Sequence, residues 1–181
     1  MKHLLLICLI FNGNMVFFTR NSRFLTFLSA YNDLALRMKL KIINPIFDTL
    51  LPTLEDNWLL GLTDAEGCFN LSLLSNSKAY RLRFIISQKW DVNTIILQHI
   101  SSILKVGDVS HHSLPNNWNY IVNGVKNTAN IIPYFETHLL LSKKKESYNL
   151  WKQLRLQLIN GDHLNDLSRV EMVKICKYIN K

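Results

Sequence analysis

Trp58-Leu59-Leu60-Gly61-Leu62-Thr63-Asp64-Ala65-Glu66-Gly67-Cys68-Phe69 is the stretch where one periodicity gives way to another. Before the second glycine the spacing is helical: Leu54, Trp58 and Leu62 fall four apart, as do Gly61 and Ala65. After it the spacing is that of a strand, with Phe69, Leu71 and Leu73 on one side and Asn70 and Ser72 on the other. Upstream, Pro52-Thr53-Leu54-Glu55-Asp56 offers Thr53 as N-cap, with acids in the first turn where the helix dipole favours them. The segment thus predicts a buried helix that delivers Asp64 and Glu66 to a glycine turn, from which a strand departs.

The small residues Gly61 and Ala65 would let another backbone approach closely at the C-terminal end of that helix. A partner helix there would bring its own acid near Glu66, and two facing carboxylates repel unless a divalent cation sits between them. The plainer reading makes Asp64 and Glu66 solvated residues at the end of a surface helix. The whole string goes further than the tetrapeptide. It resembles the signature of the LAGLIDADG homing endonucleases, with Leu59 to Gly67 matching position by position except at Leu60, Thr63 and Glu66. At the last of these, Glu in place of Asp keeps the carboxylate.

With 181 residues the chain has room for one domain with a real core, or one domain plus a piece of another. Hydrophobic residues at 48% and charged residues at 19% exclude a disordered protein. The net charge of +8 suits a polyanion, although membrane surfaces and acidic proteins would satisfy it too. Cys8, Cys68 and Cys176 are odd in number, far apart and without metal-ligand spacing, which favours reduced thiols inside a cell or organelle. The richness in Asn, Ile, Leu, Lys and Phe is that of A/T-rich codons, a bias typical of organelle genomes.

Residues 1–18 carry Lys2 near their start and an apolar run from Leu4 to Phe11, the outline of a signal peptide. Against that, Phe11-Asn12-Gly13-Asn14-Met15-Val16-Phe17 reads as strand, turn, strand, with Asn-Gly as the hairpin signal. No run reaches the ~18 apolar residues of a spanning helix, so no membrane partner is expected. Thr19 to Ala35 predicts an amphipathic helix with Phe24, Phe27, Leu28 and Tyr31 inward, and Lys39 to Leu54, with two prolines and no period, predicts a linker.

Beyond the motif, Tyr80, Leu82, Phe84 and Ile86 alternate with Arg81 and Arg83, giving a second strand across the turn Ser75-Asn76-Ser77-Lys78. A solvated sheet face would explain the two arginines; beside Asn70 and Ser72, a surface for phosphates and base edges explains them better. Asp91 caps a predicted helix with Ile95, Ile96, Ile100, Ile103 and Leu104, and Val109–His112 and Trp118–Asn123 form a weaker hairpin. His111 and His112, being adjacent, would point to opposite faces and make no joint metal site; one could line a DNA groove or sit as a plain loop histidine. Asn127 to Leu141 predicts a helix around Pro133, and Ser142 caps another, with Tyr148, Trp151, Leu154 and Leu158 buried. Lys143, Lys144 and Lys145 open that helix against its dipole, which argues for a use beyond solvation. Asp162 to Ile179 predicts a short amphipathic helix carrying Leu164, Leu167, Val170, Val173 and Ile175.

This order gives an α+β domain with a four-stranded antiparallel sheet and helices on one face. The resemblance implies the same: an αββαββα half-domain at 55–181, two such halves forming a saddle whose sheet lies in the DNA major groove. It implies that residues 1–38 are the tail of a truncated first half and 39–54 the linker between halves. The implied activity is site-specific DNA hydrolysis, with Mg2+ bound by the Glu66 carboxylate and the Ala65 backbone carbonyl, and Asp64 serving the helix terminus. Gln88 matches a polar residue that organises water at the metal, and Lys143, with Lys144 as the other candidate, a basic residue at the scissile phosphate. Asn70, Ser72, Arg81, Arg83, Ser110, His112 and Asn119 would face the DNA. One motif supplies one acid and cutting both strands needs two, so the partner is a second copy or a missing N-terminal half. The alternative function is an intron RNA maturase, or an inactive remnant; the implied location is the mitochondrion or another organelle.

Overall fold

The computed structural model describes residues 1–181 and divides them into two units, Met1–Pro52 and Thr53–Lys181. In the first, α1 (Lys2–Phe11) and α2 (Phe18–Arg37) enclose a small core of Cys8, Phe24, Leu28, Tyr31, Ala35 and Ile43. The strand–turn–strand expected over 11–17 is not formed. Asn-Gly also terminates helices, because glycine adopts the left-handed conformation that ends them. Here Gly13, at φ +80°, lies just beyond α1, and a Cβ on it would meet Ile46 at 3.0 Å. The stretch expected to be a linker is strapped down at several points. Asn32 exchanges two hydrogen bonds with the backbone of Ile43, and Asn12 bonds to the backbone of Asn44 and Ile46.

The second unit runs α3 (Trp58–Glu66), β1 (Gly67–Leu73), β2 (Tyr80–Lys89), α4 (Thr94–Leu104), β3 (Asp108–His111), β4 (Asn117–Asn123), α5 (Gly124–Thr128), α6 (Ile132–Thr137), α7 (Lys144–Ile159) and α8 (Asp166–Cys176). The four strands form one antiparallel sheet in the order β1-β2-β4-β3. Its two central strands come from different hairpins, so β2 and β4 tie the hairpins into one surface, with Ile86 opposite Tyr120 and Ser87 opposite Asn119. The alternation read in the sequence holds: Phe69, Leu71, Leu82, Phe84, Ile86, Tyr120 and Val122 are buried under the helices.

Phe69 is the hub of this core. Its ring lies 5.2–5.6 Å from those of Phe84, Phe135, Tyr148 and Trp151. Burying such a side chain is worth about 3 kcal/mol, and the ring contacts add to it. The core therefore grips the chain three residues after Glu66.

Several helix expectations are corrected. α3 starts at Trp58, not after Thr53, because Asp56 turns its carboxylate onto Thr53 and Trp58 and folds residues 53–57 into a separate turn. Its buried side is Leu59, Leu60 and Thr63, not Leu54, Trp58 and Leu62. In α4, Leu97 is buried and Ile95 is exposed. Asp91 does not cap it, since its carboxylate accepts from Trp118 Nε1. The helix expected over 127–141 breaks into α5, a 3-10 turn and α6, followed by an extended approach to α7. In α8 only Met172 is buried, while Leu167, Val170 and Val173 stay exposed, as does Leu164 in the 3-10 turn before it. That helix is held instead by Arg169, which donates to the carbonyls of Leu74, Ser77 and Ala79 in the β1–β2 turn.

Candidate active site and nucleic-acid face

The motif helix is fixed at both ends by its own unit. At its start, the first backbone amides have no helical acceptor and need outside partners. Trp58 N donates to Asp56 Oδ1 at 2.9 Å, and Leu60 N donates to the Tyr134 hydroxyl at 2.9 Å. That hydroxyl donates in turn to the Asp56 carbonyl. Burial pushes the Tyr134 phenol up to about 12, with the nearby Asp56 charge acting in the same sense and the Leu60 amide against it.

At its end, Gly67 has ordinary extended dihedrals (φ −70°, ψ 147°), so conformation does not demand glycine. Space does. A Cβ on residue 67 would lie 2.6 Å from the Thr63 carbonyl oxygen and 2.9 Å from its Cα. The chain can pass from helix to strand this tightly only without a side chain, and the tight passage puts Glu66 at the head of β1.

The two acids part company here. Asp64 accepts from Leu141 N (3.1 Å), Ser142 N (3.3 Å) and Ser142 Oγ (2.6 Å), and so clamps α3 to the segment that enters α7. Ser142 Oγ also accepts from Lys144 N, which satisfies one amide of α7. Glu66 and Ala65 are exposed, next to Gly61, whose hydrogen faces open space. Lys143 flanks the start of α7 and Lys144 is its first residue. Both line a shallow hollow of about 280 Å³ with Asp64, Ser142, Ser147, Asn180 and Lys181. Gln88 is half-buried opposite Trp118, at the end of β2 that outruns β1. Lys143, Lys144 and Asp64 thus share one hollow, and Glu66, Ala65 and Gln88 lie outside its lining.

The sheet surface turned away from the helices collects most of the residues assigned to DNA. The register sets Ser72 opposite Arg81, and Asn70 opposite Arg83, which faces Asn123 on its other side. Ser87 stands opposite Asn119, and Asn119 opposite Ser110. Arg83 donates to Asn70 Oδ1 while its Nε has no protein partner, and Ser87 donates to Asn119 Oδ1. His112 lies past the last pair of β3, with Nδ1 accepting from Leu114 N, so it serves its own loop. His111 stacks on Trp118 at 3.7 Å. Ser87, Lys89, Asn117 and Asn123 share the parity of this face and were missed in the sequence. Their signal was in the sequence: Ser87 and Lys89 continue the alternation of Arg81 and Arg83, and Asn117 and Asn123 that of Asn119.

A family model described as LAGLIDADG endonuclease matches residues 59–155. The chain belongs to this family. A Neurospora crassa protein described as "Probable intron-encoded endonuclease 4" is 34% identical over 179 residues, covering 95% of this chain and 31% of the relative. The chain thus spans about a third of the length of the relatives it matches. Among solved structures, the LAGLIDADG meganuclease I-AabMI bound to uncleaved DNA is 27% identical, with a TM-score of 0.63 over 69% of this chain and 44% of that one. The LAGLIDADG homing endonuclease I-LtrWI bound to target DNA is 24% identical, with a TM-score of 0.68 over 88% of this chain and 57% of the other. The second coverage exceeds what residues 53–181 alone can supply, so the likeness in fold reaches into the first unit.

Proposed function

We propose that this chain is one half of a metal-dependent, site-specific DNA endonuclease of the intron-encoded kind. The observation that carries the reading is the position of Glu66: an exposed carboxylate at the exit of α3, heading the β1–β2 hairpin whose outer face bears Asn70, Ser72, Arg81 and Arg83. Family membership and DNA-bound relatives of the same fold support it.

The available donors fit a divalent cation in kind. The Glu66 carboxylate and the Ala65 carbonyl are hard oxygen donors, which suit Mg2+ and leave room for substrate phosphate oxygens. They fall short in number, since no group of three or more His, Cys, Asp or Glu side chains gathers in this chain. A second motif helix, packed on the exposed Gly61–Ala65 side of α3, would supply the other acid. Residues 1–38, read as the tail of a first half joined by 39–54, favour a preceding half as its source; a second copy is the other source. When bound, the cation supplies charge neutralisation on the phosphate and an activated water. The chain's own residues do the rest. Lys143 or Lys144 places an ammonium at the phosphate, Gln88 orients water, and Asp64 holds the α3–α7 junction that sets the lysines relative to Glu66. The sheet face binds the duplex through phosphate and base-edge contacts. The intron-encoded relative and the richness in residues of A/T-rich codons favour an organelle, the mitochondrion, as the location.

The test is a supercoiled plasmid carrying the joined-exon sequence of the host gene, incubated with Mg2+ and either wild type or Glu66→Gln. Nicking or cutting by wild type, abolished in the variant while duplex binding persists, is the expected result. Equal cleavage by both proteins would overturn it.

A further inference from the structure

Trp90 is the one bulky residue of the chain at an outlying backbone conformation, φ 78° and ψ 132°. Positive φ is costly for a residue with a large side chain, and it persists only where the surroundings enforce it. They do so here. Trp90 N donates to Asn116 O at 2.7 Å, Asn93 N donates to Trp90 O at 3.0 Å, and the buried Asn93 reaches Lys89 O at 2.7 Å. Trp118 Nε1 bonds to Asp91 immediately afterwards. All this hydrogen bonding fixes a ring that packs into no core: Trp90 remains 44% exposed. Its partner is a cation, with Lys89 Nζ 4.5 Å from the ring centroid.

The place of the pair says what it meets. β1 begins opposite Ile86, so Gln88, Lys89 and Trp90 run past it at the end of the sheet where α3 delivers Glu66. Lys89, opposite Asn117, shares the strand parity of Arg81, Arg83 and Ser87, which is that of the outward face. Strand alternation would turn residue 90 towards the helices; the left-handed turn takes the chain out of the ladder there, and the ring ends beside the Lys89 ammonium. An exposed indole with an ammonium above it, at the rim of a basic polar face, has the chemistry that proteins use on nucleic acid: a flat apolar surface for a sugar or base step and a cation for the adjoining phosphate.

We propose that Lys89 and Trp90 form a second duplex-DNA contact, with the indole wedged at a base step near the catalytic carboxylate and Lys89 on the neighbouring phosphate. It rests on the endonuclease reading and extends it to two residues outside the motif and the candidate catalytic residues. The strained turn is then the means of presenting the ring.

The full chain, titrated at low salt with a short mixed-sequence duplex, gives two readouts: anisotropy of a labelled duplex for affinity, and tryptophan emission for contact. Wild type should bind with quenching of the exposed tryptophan. Trp90→Phe should bind within about twofold and lose that quenching, while Trp90→Gly should bind about tenfold more weakly. Because glycine tolerates φ 78°, Trp90→Gly should melt at the wild-type temperature or above it. Wild-type affinity in Trp90→Gly, quenching that survives Trp90→Phe, or a lowered Tm in Trp90→Gly would each overturn the proposal and leave the endonuclease reading standing. Failure of the wild type to bind duplex at all, or binding only to a structured RNA, would overturn both.

Discussion

Tyr134→Phe isolates a single hydroxyl and tests whether α3 is held from behind. The ring stays, so packing against Phe135 and His138 is kept, and only the oxygen between Leu60 N and the Asp56 carbonyl goes. The Asp56 carbonyl belongs to a half-exposed residue that water can reach, whereas Leu60 is 6% exposed and its amide would be left unpaired in the protein. Leaving a buried donor unsatisfied costs about 1–3 kcal/mol, so a loss near 2 kcal/mol is expected. Urea unfolding followed by tryptophan emission measures it cleanly. Trp58, Trp90, Trp118 and Trp151 all lie in the second unit, so the signal reports that unit alone. With a slope of about 1–3 kcal/mol per molar urea, the midpoint should fall by about 1 M at unchanged slope. The alkaline limb gives a second check. Burial raises the Tyr134 phenol to about 12, so between its ordinary value and that point the unfolded chain gives up a proton the folded one keeps. Stability is then complete below pH ~10 and falls as pH rises towards 12, and Tyr134→Phe should fall less steeply. A midpoint within about 0.2 M of wild type, where the slope of would make the loss well under 1 kcal/mol, would refute the clamp.

Gly67→Ala should destabilise the second unit by about 3 kcal/mol in the same urea assay, since the new methyl meets backbone atoms of Thr63 at 2.6 and 2.9 Å that cannot rotate away. A loss under about 0.5 kcal/mol would mean that the helix–strand passage is looser than it stands here. Arg83→Ala should leave folding within about 0.5 kcal/mol and lower the slope of log affinity for duplex DNA against log salt by about one, as removal of one phosphate contact does. An unchanged slope would take Arg83 off the DNA.

The strands were legible because each carries its own evidence. Phe69, Leu71, Leu82, Phe84 and Ile86 alternate with polar neighbours, and burial on one face leaves a single register. The acids were legible through the motif, and so was the separation of Glu66 from Asp64, although not the Leu141–Ser142 segment that Asp64 holds. What stayed hidden depends on distant partners. The start of α3 was misplaced because Asp56 draws Thr53 into a turn of its own, and the capping expected of Thr53 falls to Asp56 and to Tyr134, 74 residues away in sequence from Leu60. The Asn12-Gly13 signal is locally ambiguous between hairpin and helix stop, and Ile46 and the backbone around it decide the outcome. Trp90 gave no sign at all, since the conformation that exposes it is imposed by Asn116 from the other hairpin.

Gly61 carries a consequence for how mutations in this chain would be judged. It sits inside a helix, where glycine costs about 1 kcal/mol relative to alanine, and beyond its own chain neighbours and the adjoining backbone of its helix no atom lies within 4 Å of the place a Cβ would take. Selection for folding alone would therefore replace it, and a screen that ranks variants by solubility or melting temperature would score the replacement as an improvement. Whatever keeps a glycine at this position acts through something that such a screen does not contain. With a second motif helix docked there, as proposed, thermal robustness and competence would be tuned against each other at one codon.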